Sequence, residues 1–178
     1  ELRLATIGLI GLMQTMQTVD LVTPLLTQFD VEKDDQVKLE LLDILGIVCS
    51  ATHKADSKTK ITLDIKQRIL GYASDFLLKD DDAKAVIGAK VIRKLIEKNG
   101  LQEQEIQKYL TQLADRYNRK EEDPNSTLKA ELLSAMVGLS SDNSVVKQYA
   151  RDTLYTYFKD ALEDNSDVIR ETAIDGLG

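Results

Sequence analysis

The stretch "QVKLELLDILG", residues 36–46, decides the fold because a matching stretch, "VIRETAIDGLG", occupies residues 168–178. The first eleven residues, "ELRLATIGLIG", fit the same pattern. When the three stretches are aligned at their final glycines, apolar residues recur three and four positions apart, as on one face of a helix. A basic residue stands eight positions before each glycine. The chain is therefore predicted to repeat one amphipathic helix.

Two weaker copies, "AKAVIGAKVI" and "LKAELLSAMV", lie between these stretches. All five copies share a basic column, at positions 3, 38, 84, 129 and 170. The spacings of 35, 46, 45 and 41 residues fit a repeating unit of two helices. Partner helices are predicted in the apolar segments between the copies, at residues 18–29, 60–78, 102–117 and 144–162. The pattern predicts about nine helices in alternation.

The repeated unit resembles the HEAT-repeat family, whose second helix carries a valine, a basic residue, an alanine and a leucine after an aspartate-containing turn. "DDQVKLELLDILG" and "NSDVIRETAIDGLG" carry that pattern, whereas the copy at Leu128 lacks the aspartate and the copy at Ala83 lacks the valine. The resemblance implies an all-α solenoid of about four to five helical hairpins. The chain is also similar to the cullin-associated HEAT regulators and to the MMS-type cytosolic iron–sulfur assembly scaffold.

We expect one domain over residues 1–178, with units at about 1–16, 18–52, 60–98, 102–139 and 143–178. A single helix pair cannot bury its apolar face, so stacking against neighbouring units completes the core. The first and last copies keep the full apolar pattern without a polar outer face, and the chain is therefore expected to be a fragment of a longer array. Helix starts are predicted at Asp34, Asp80, Ser126, Asn143 and Ser166.

Composition narrows the class of protein. Hydrophobic residues make up 43% of the chain and charged residues 30%, which is typical of a folded soluble protein. Thirty acidic against 23 basic residues give a net charge of −7, which disfavours nucleic acid as the main partner. No apolar run approaches the roughly 20 residues of a membrane span, so membrane insertion is not expected. The single cysteine, Cys49, suits a reducing compartment, and a cytoplasmic or nuclear location is expected.

The sequence offers few residues for catalysis. His53, the single histidine, lies in a polar linker without a nucleophile or a second ligand beside it. Cys49 lies at the apolar end of a predicted helix, where a buried structural thiol is expected. One histidine and one cysteine do not make a zinc site, and no metal or cofactor is expected. Capping charges in turns explain the acidic runs 80–82 and 121–123. We expect no enzymatic activity and no small-molecule substrate.

The expected function is a non-catalytic scaffold that binds other proteins within a larger regulatory or assembly complex. Successive pairs in such arrays create an extended surface that is usually lined by the second helices. Outward polar positions on those helices are the candidate partner-binding residues, namely Lys38, Glu40, Asp43, Lys90, Arg93, Lys94, Glu131 and Glu171.

Two other functions are kept as alternatives. The C-terminal domains of some zinc aminopeptidases are HEAT-like helical arrays, and residues 128–158 are similar to them in rhythm. Those domains are rich in aromatic residues, whereas this chain has no tryptophan and three phenylalanines. A nucleic-acid-binding solenoid comes third, because the negative net charge opposes contact with phosphates.

Overall fold

The computed structural model describes residues 21–51, 61–96, 103–119, 126–141 and 154–177. Its helices are, in chain order, α1 (Val22–Val31), α2 (Asp35–Ala51), α3 (Leu63–Leu77), α4 (Asp82–Ile96), α5 (Glu103–Tyr117), α6 (Ser126–Ser141), α7 (154–161) and α8 (Asp167–Leu177). These described ranges hold no strand, which confirms the predicted all-α class. Within them no helix combines the length and the apolarity that crossing a membrane requires.

The helices form hairpins, and neighbouring hairpins contact one another. α1 pairs with α2, α3 with α4, and α5 with α6. The second helices also contact each other in sequence, α2 with α4, α4 with α6, and α6 with α8, while α3 contacts α5 among the first helices. The hairpins lie within the predicted units, except that α6 continues past residue 139 to Ser141. The predicted unit 1–16 lies outside the described residues. The HEAT-type solenoid goes beyond these contacts and stays a prediction.

Polar contacts recur along the row of first helices. Hydrogen bonds join neighbouring elements from Tyr72 to Asp30 at 2.6 Å, from Ser74 to Gln112 at 2.9 Å and from Asn118 to Tyr157 at 2.9 Å. An aromatic contact accompanies the first of these bonds, since the tilted rings of Phe29 and Tyr72 have centres 4.6 Å apart. The first helices are thus held together by side chains that are about 40 residues apart in the sequence.

One continuous apolar core runs through the described helices. The columns of the repeat alignment face it, as the helix period requires. Leu41 of α2 and Ile169 of α8 are 1% exposed, and Ala173 of α8 is fully buried. In α6, Leu132 and Leu133 are buried to the same degree. The apolar spacing of the sequence therefore identified the buried face in α2 and α6. In α8 it is only partly correct, because Ile174 and Leu177, in the columns of buried Leu42 and Leu45, are 60% and 40% exposed.

The alignment of α4 is wrong by one residue. It places Ala83 in the column of buried Val37, yet Ala83 is exposed, and Ile87, in the column of Leu41, is only half-buried. Val91, in the column of Leu45, is fully buried as the alignment predicts. The stripe that is at most 6% exposed otherwise runs through Ala85, Ala89, Ile92 and Ile96. Helix α4 therefore presents a different set of small residues to its neighbours than the alignment predicts.

Gly88 explains the shift in α4. A Cβ atom built at this glycine would lie 2.5 Å from the carbonyl oxygen of Ala73 and 2.6 Å from the backbone nitrogen of Leu77. The backbones of α3 and α4 therefore touch at this point, which only glycine permits. The alignment missed this because it matched apolar side chains, whereas α4 packs here through a residue without one.

Of the five predicted helix starts, four fall on described residues, and one of these four is displaced by a residue. Asp34 Oδ1 accepts hydrogen bonds from two backbone N–H groups of the first turn of α2, at 2.9 and 3.1 Å. At α4 the capping residue is Asp81, which accepts from the backbone N–H of Lys84 at 3.0 Å. The predicted cap, Asp80, instead accepts from Arg119 at 2.5 Å. Ser126 is the first residue of α6, Ser166 directly precedes α8, and Asn143 lies outside the described residues.

Candidate functional site

Five of the eight candidate residues meet in one row across α2, α4 and α6. Lys90 Nζ donates a hydrogen bond to Asp43 Oδ2 at 2.8 Å, and Lys94 Nζ donates to Asp43 Oδ1 at 3.2 Å. Arg93 donates through Nε and Nη2 to Glu131 Oε1, at 3.1 and 3.0 Å. We call Asp43, Lys90, Arg93, Lys94 and Glu131 the charged row. Its ion pairs join α2 to α4 and α4 to α6.

Helix geometry places the three cations of the charged row on α4. Lys90, Arg93 and Lys94 are three and four residues apart, so their side chains project from one face. Ile92 and Leu95, on the other side of the helix, are fully buried. All five side chains of the charged row are between 20% and 32% exposed. They lie at the edge of the core, where an ion pair is screened less than on an open surface.

The charged row carries three cations but two carboxylates, so Lys90 and Lys94 share Asp43. Burial opposes ionisation of Asp43, but the hydrogen bond from Lys90 and the charge of Lys94 outweigh it and hold the pKa of Asp43 below its ordinary value of 3.8. Burial lowers the pKa of Lys94 below its ordinary 10.5, and although Asp43 acts against this, the charge of Lys90 adds to it. Two ammonium groups therefore compete for one carboxylate.

The pKa of Asp43 predicts a pH dependence of stability. A carboxyl whose folded pKa is lowered stabilises the fold above its unfolded pKa of about 3.9, and this contribution is lost as the pH falls through the folded value. Asp43→Asn should lower the free energy of unfolding at pH 7 by about 1 to 3 kcal/mol, since two lysines lose their acceptor. The difference from wild type should shrink toward about pH 3. Urea denaturation at the two pH values measures it.

Glu40→Gln is the matched control for this substitution. Glu40 is exposed on the same helix, where its contact is the hydrogen bond that it accepts from Gln36 at 3.4 Å. Its replacement should change stability by less than about 0.5 kcal/mol at either pH. If Asp43→Asn lowered the free energy of unfolding by the same amount at both pH values, the assigned ionisation of Asp43 would be contradicted.

Three candidate residues lie apart from the charged row. Lys38 lies in the first turn of α2, with its Nζ 5.5 Å from the centre of the Phe29 ring, which is cation–π geometry. Glu40 and Glu171 are exposed, on α2 and α8 respectively. The structure thus brings five candidates together in the charged row, and the other three lie away from it.

The acidic run 80–82 does more than cap a helix. Arg116 Nη2 donates to Asp82 Oδ1 at 2.8 Å, and Arg119 Nη1 donates to Asp80 Oδ1 at 2.5 Å. Asp81 accepts the capping hydrogen bond, and Asp82 is the first residue of α4, where the helix dipole favours a negative charge. The missed signal is the pair of arginines three residues apart at the end of α5, one repeat after the acidic run. The run 121–123 lies outside the described residues.

Cys49 is a buried structural thiol, as the sequence predicts. Its side chain is fully buried, and burial raises the pKa of the thiol to about 12, while the charge of Lys66 acts weakly in the opposite direction. Since the thiolate is the nucleophile, the folded chain keeps this sulfur in its unreactive form at neutral pH. His53 lies outside the described residues, and its exposed position stays a prediction.

Alkylation provides a test of this burial. Iodoacetamide at about pH 8 should leave Cys49 of the folded chain unmodified over hours and label it within minutes after denaturation, because only the unfolded thiol has an ordinary pKa of about 8.5. Mass spectrometry of the intact chain measures the added mass. Labelling at equal rates in the folded and the denatured chain would contradict the buried position.

Among the described residues, no group of three or more histidine, cysteine, aspartate or glutamate side chains is placed to bind a metal ion. No protein-family model matches the chain, and comparisons with curated proteins and with solved structures likewise find no match. Its function is therefore inferred from its own residues.

Proposed function

We propose that the chain is a non-catalytic scaffold of the HEAT-repeat type that binds other proteins along the charged row. The observation that supports this function best is the row itself, in which five charged side chains on three successive second helices stay between 20% and 32% exposed. Contacts that run from α2 through α4 and α6 to α8 are those that stacked HEAT-type hairpins require.

The electrostatics of the row favour a partner with acidic side chains. Lys90 and Lys94 share the carboxylate of Asp43. A carboxylate of a partner, placed beside Lys94, would provide each ammonium with its own counter-charge. Because these groups are partly withdrawn from water, such a pair gains more than a fully exposed one. The helices behind the row are packed on a continuous core, so the surface needs little ordering on binding.

The proposed location is the cytoplasm or the nucleus, where a single unpaired cysteine is kept reduced. The resemblance to the HEAT-repeat family implies membership of a larger regulatory or assembly complex, and that membership is part of this proposal. The aminopeptidase-domain and nucleic-acid alternatives stay predictions. Retention of the chain on heparin at about 0.15 M salt would favour the nucleic-acid alternative.

Lys94→Gln tests the proposed function. This change removes the ammonium that lacks a carboxylate of its own and leaves the bond from Lys90 to Asp43 in place. The amount of partner protein that the variant captures from cells should fall about tenfold, which corresponds to a loss of about 1.4 kcal/mol in binding free energy. Isotope-labelled mass spectrometry measures that amount. The midpoint of urea denaturation should stay close to that of the wild type.

Lys79→Gln is the control for this experiment. Lys79 is exposed in the turn after α3 and lies outside the charged row. Its replacement removes one positive charge, as Lys94→Gln does. Partners that are lost with Lys94→Gln and kept with Lys79→Gln support binding along the row. Equal capture by both variants, with both chains folded, would contradict the proposed binding surface.

A further inference from the structure

Two lysines of α4, Lys84 and Lys94, are withdrawn from water to a similar degree. Their side chains are 16% and 22% exposed, respectively. The Nζ atom of Lys84 lies 2.7 Å from a carboxylate oxygen of Asp35 and 3.8 Å from one of Asp81. Lys84 thus has two carboxylates beside one ammonium group, and their charges stabilise its protonated form.

Lys94 has the opposite charge balance. Its Nζ donates to Asp43 Oδ1 at 3.2 Å, and the same carboxylate accepts a shorter bond, of 2.8 Å, from Lys90. Arg93, the residue before Lys94, directs its Nε and Nη2 to Glu131. Lys94 therefore has only a share in one carboxylate, and the positive charges of Lys90 and Arg93 both oppose its protonation.

The pKa values of the two lysines move in opposite directions from the ordinary 10.5. The hydrogen bond and the charge of Asp35 raise the pKa of Lys84, whereas burial and the neighbouring cations lower that of Lys94. The neutral amine is the nucleophilic form of lysine, and withdrawal from water beside other cations is the arrangement that favours it. At any given pH, Lys94 is therefore neutral in a larger fraction of molecules than Lys84.

We propose that Lys94 is an acylation site that reacts with acyl thioesters. Its neutral amine attacks the carbonyl carbon of the thioester, so that an N–C bond forms and the C–S bond breaks. The sulfur leaves as a thiol together with the proton that the amine loses. The products are an amide at Lys94 and a free thiol, and the reaction needs no oxidant or reductant.

Acylation balances the charges of the charged row. It removes the positive charge of Lys94 and leaves Lys90 paired with Asp43 and Arg93 paired with Glu131. The cation that the proposed function assigns to an acidic partner is then absent. Acylation thus switches off binding along the row, and this consequence, unlike the acylation itself, rests on the proposed function.

Acetyl-coenzyme A is the probe for this reaction. At about pH 8 the folded full chain should be acetylated at least about fivefold faster at Lys94 than at Lys84, because one pKa unit changes the neutral fraction about tenfold. Tandem mass spectrometry after cleavage at arginine measures each site, since Arg93 separates the two lysines in the digest. In guanidinium chloride, which removes the folded surroundings of both amines, the two rates should become similar.

Lys90→Gln distinguishes the effect of charge from that of exposure. The change removes a like charge and leaves Asp43 to Lys94 alone, so acetylation of Lys94 should slow by about threefold or more. The rate at Lys84, whose carboxylates are Asp35 and Asp81, should stay that of the wild type. The side chain of residue 90 lies at the edge of the core, and far-UV circular dichroism should show an unchanged helix content.

Two results would overturn this inference. One is an equal rate at Lys94 and Lys84 in the folded chain. The other is acetylation of Lys94 that is as fast in Lys90→Gln as in the wild type. Preferential acetylation of Lys94 without any loss of captured partner proteins would leave the acylation site in place and would count against the proposed function instead.

Discussion

Gly88→Ala should destabilise the fold by about 3 kcal/mol, although alanine ordinarily favours a helix over glycine. The added methyl group would lie 2.5 Å from the carbonyl oxygen of Ala73 and 2.6 Å from the backbone nitrogen of Leu77. Both are main-chain atoms, which cannot rotate away as a side chain does. Helices α3 and α4 must therefore separate, and the apolar contacts around them loosen. Urea denaturation of the wild type and the variant measures the change.

Gly71→Ala is the matched control because it makes the same change in the adjoining helix α3. A Cβ atom at Gly71 meets no atom within 4 Å. The substitution should therefore stabilise the chain by up to about 1 kcal/mol through helix propensity alone. The two substitutions are expected to have opposite signs. A stabilising or neutral effect of Gly88→Ala would show that α3 and α4 do not touch through their backbones.

Leu42→Asp and Leu133→Asp should each destabilise the chain by about 4 kcal/mol and unfold the hairpins around the substituted residue. Both leucines are fully buried, in α2 and α6 respectively. A carboxylate at either position would have to enter the core without a partner or take up a proton, and the leucine contacts would be lost as well. Since a domain is stable by only about 5 to 15 kcal/mol, far-UV circular dichroism should show reduced helix content or a lower melting temperature.

Leu63→Asp controls for the chemistry of this change. Leu63 is 57% exposed and is the first residue of α3, where a negative charge is favoured by the helix dipole. Its effect should stay within about 0.5 kcal/mol of zero. If Leu42→Asp and Leu133→Asp were equally well tolerated, the two columns would not face a packed core.

Part of the candidate site could be read from the sequence and part could not. The repeat pattern placed Asp43, Lys90, Arg93, Lys94 and Glu131 on outward positions of second helices, and they lie at the edge of the core. It did not predict that they bind one another. The ion pairs join residues that are 38 to 51 positions apart, and such pairing depends on how neighbouring helices are rotated and shifted. No local pattern records that rotation.

The sequence by itself determined the all-helical class, most helix positions and the buried state of Cys49, because helix periodicity and capping depend on residues that are at most four positions apart. Tertiary structure alone decided the register of α4, since the contact of Gly88 with the α3 backbone involves no side chain of its own. It also decided which of Leu42 and Ile174, which share a repeat column, is buried and which is exposed. Leu42 is fully buried in α2, which packs against α1 and α4, whereas Ile174 of α8 is 60% exposed, because burial depends on the neighbours that pack against a residue and not on the residue's own type.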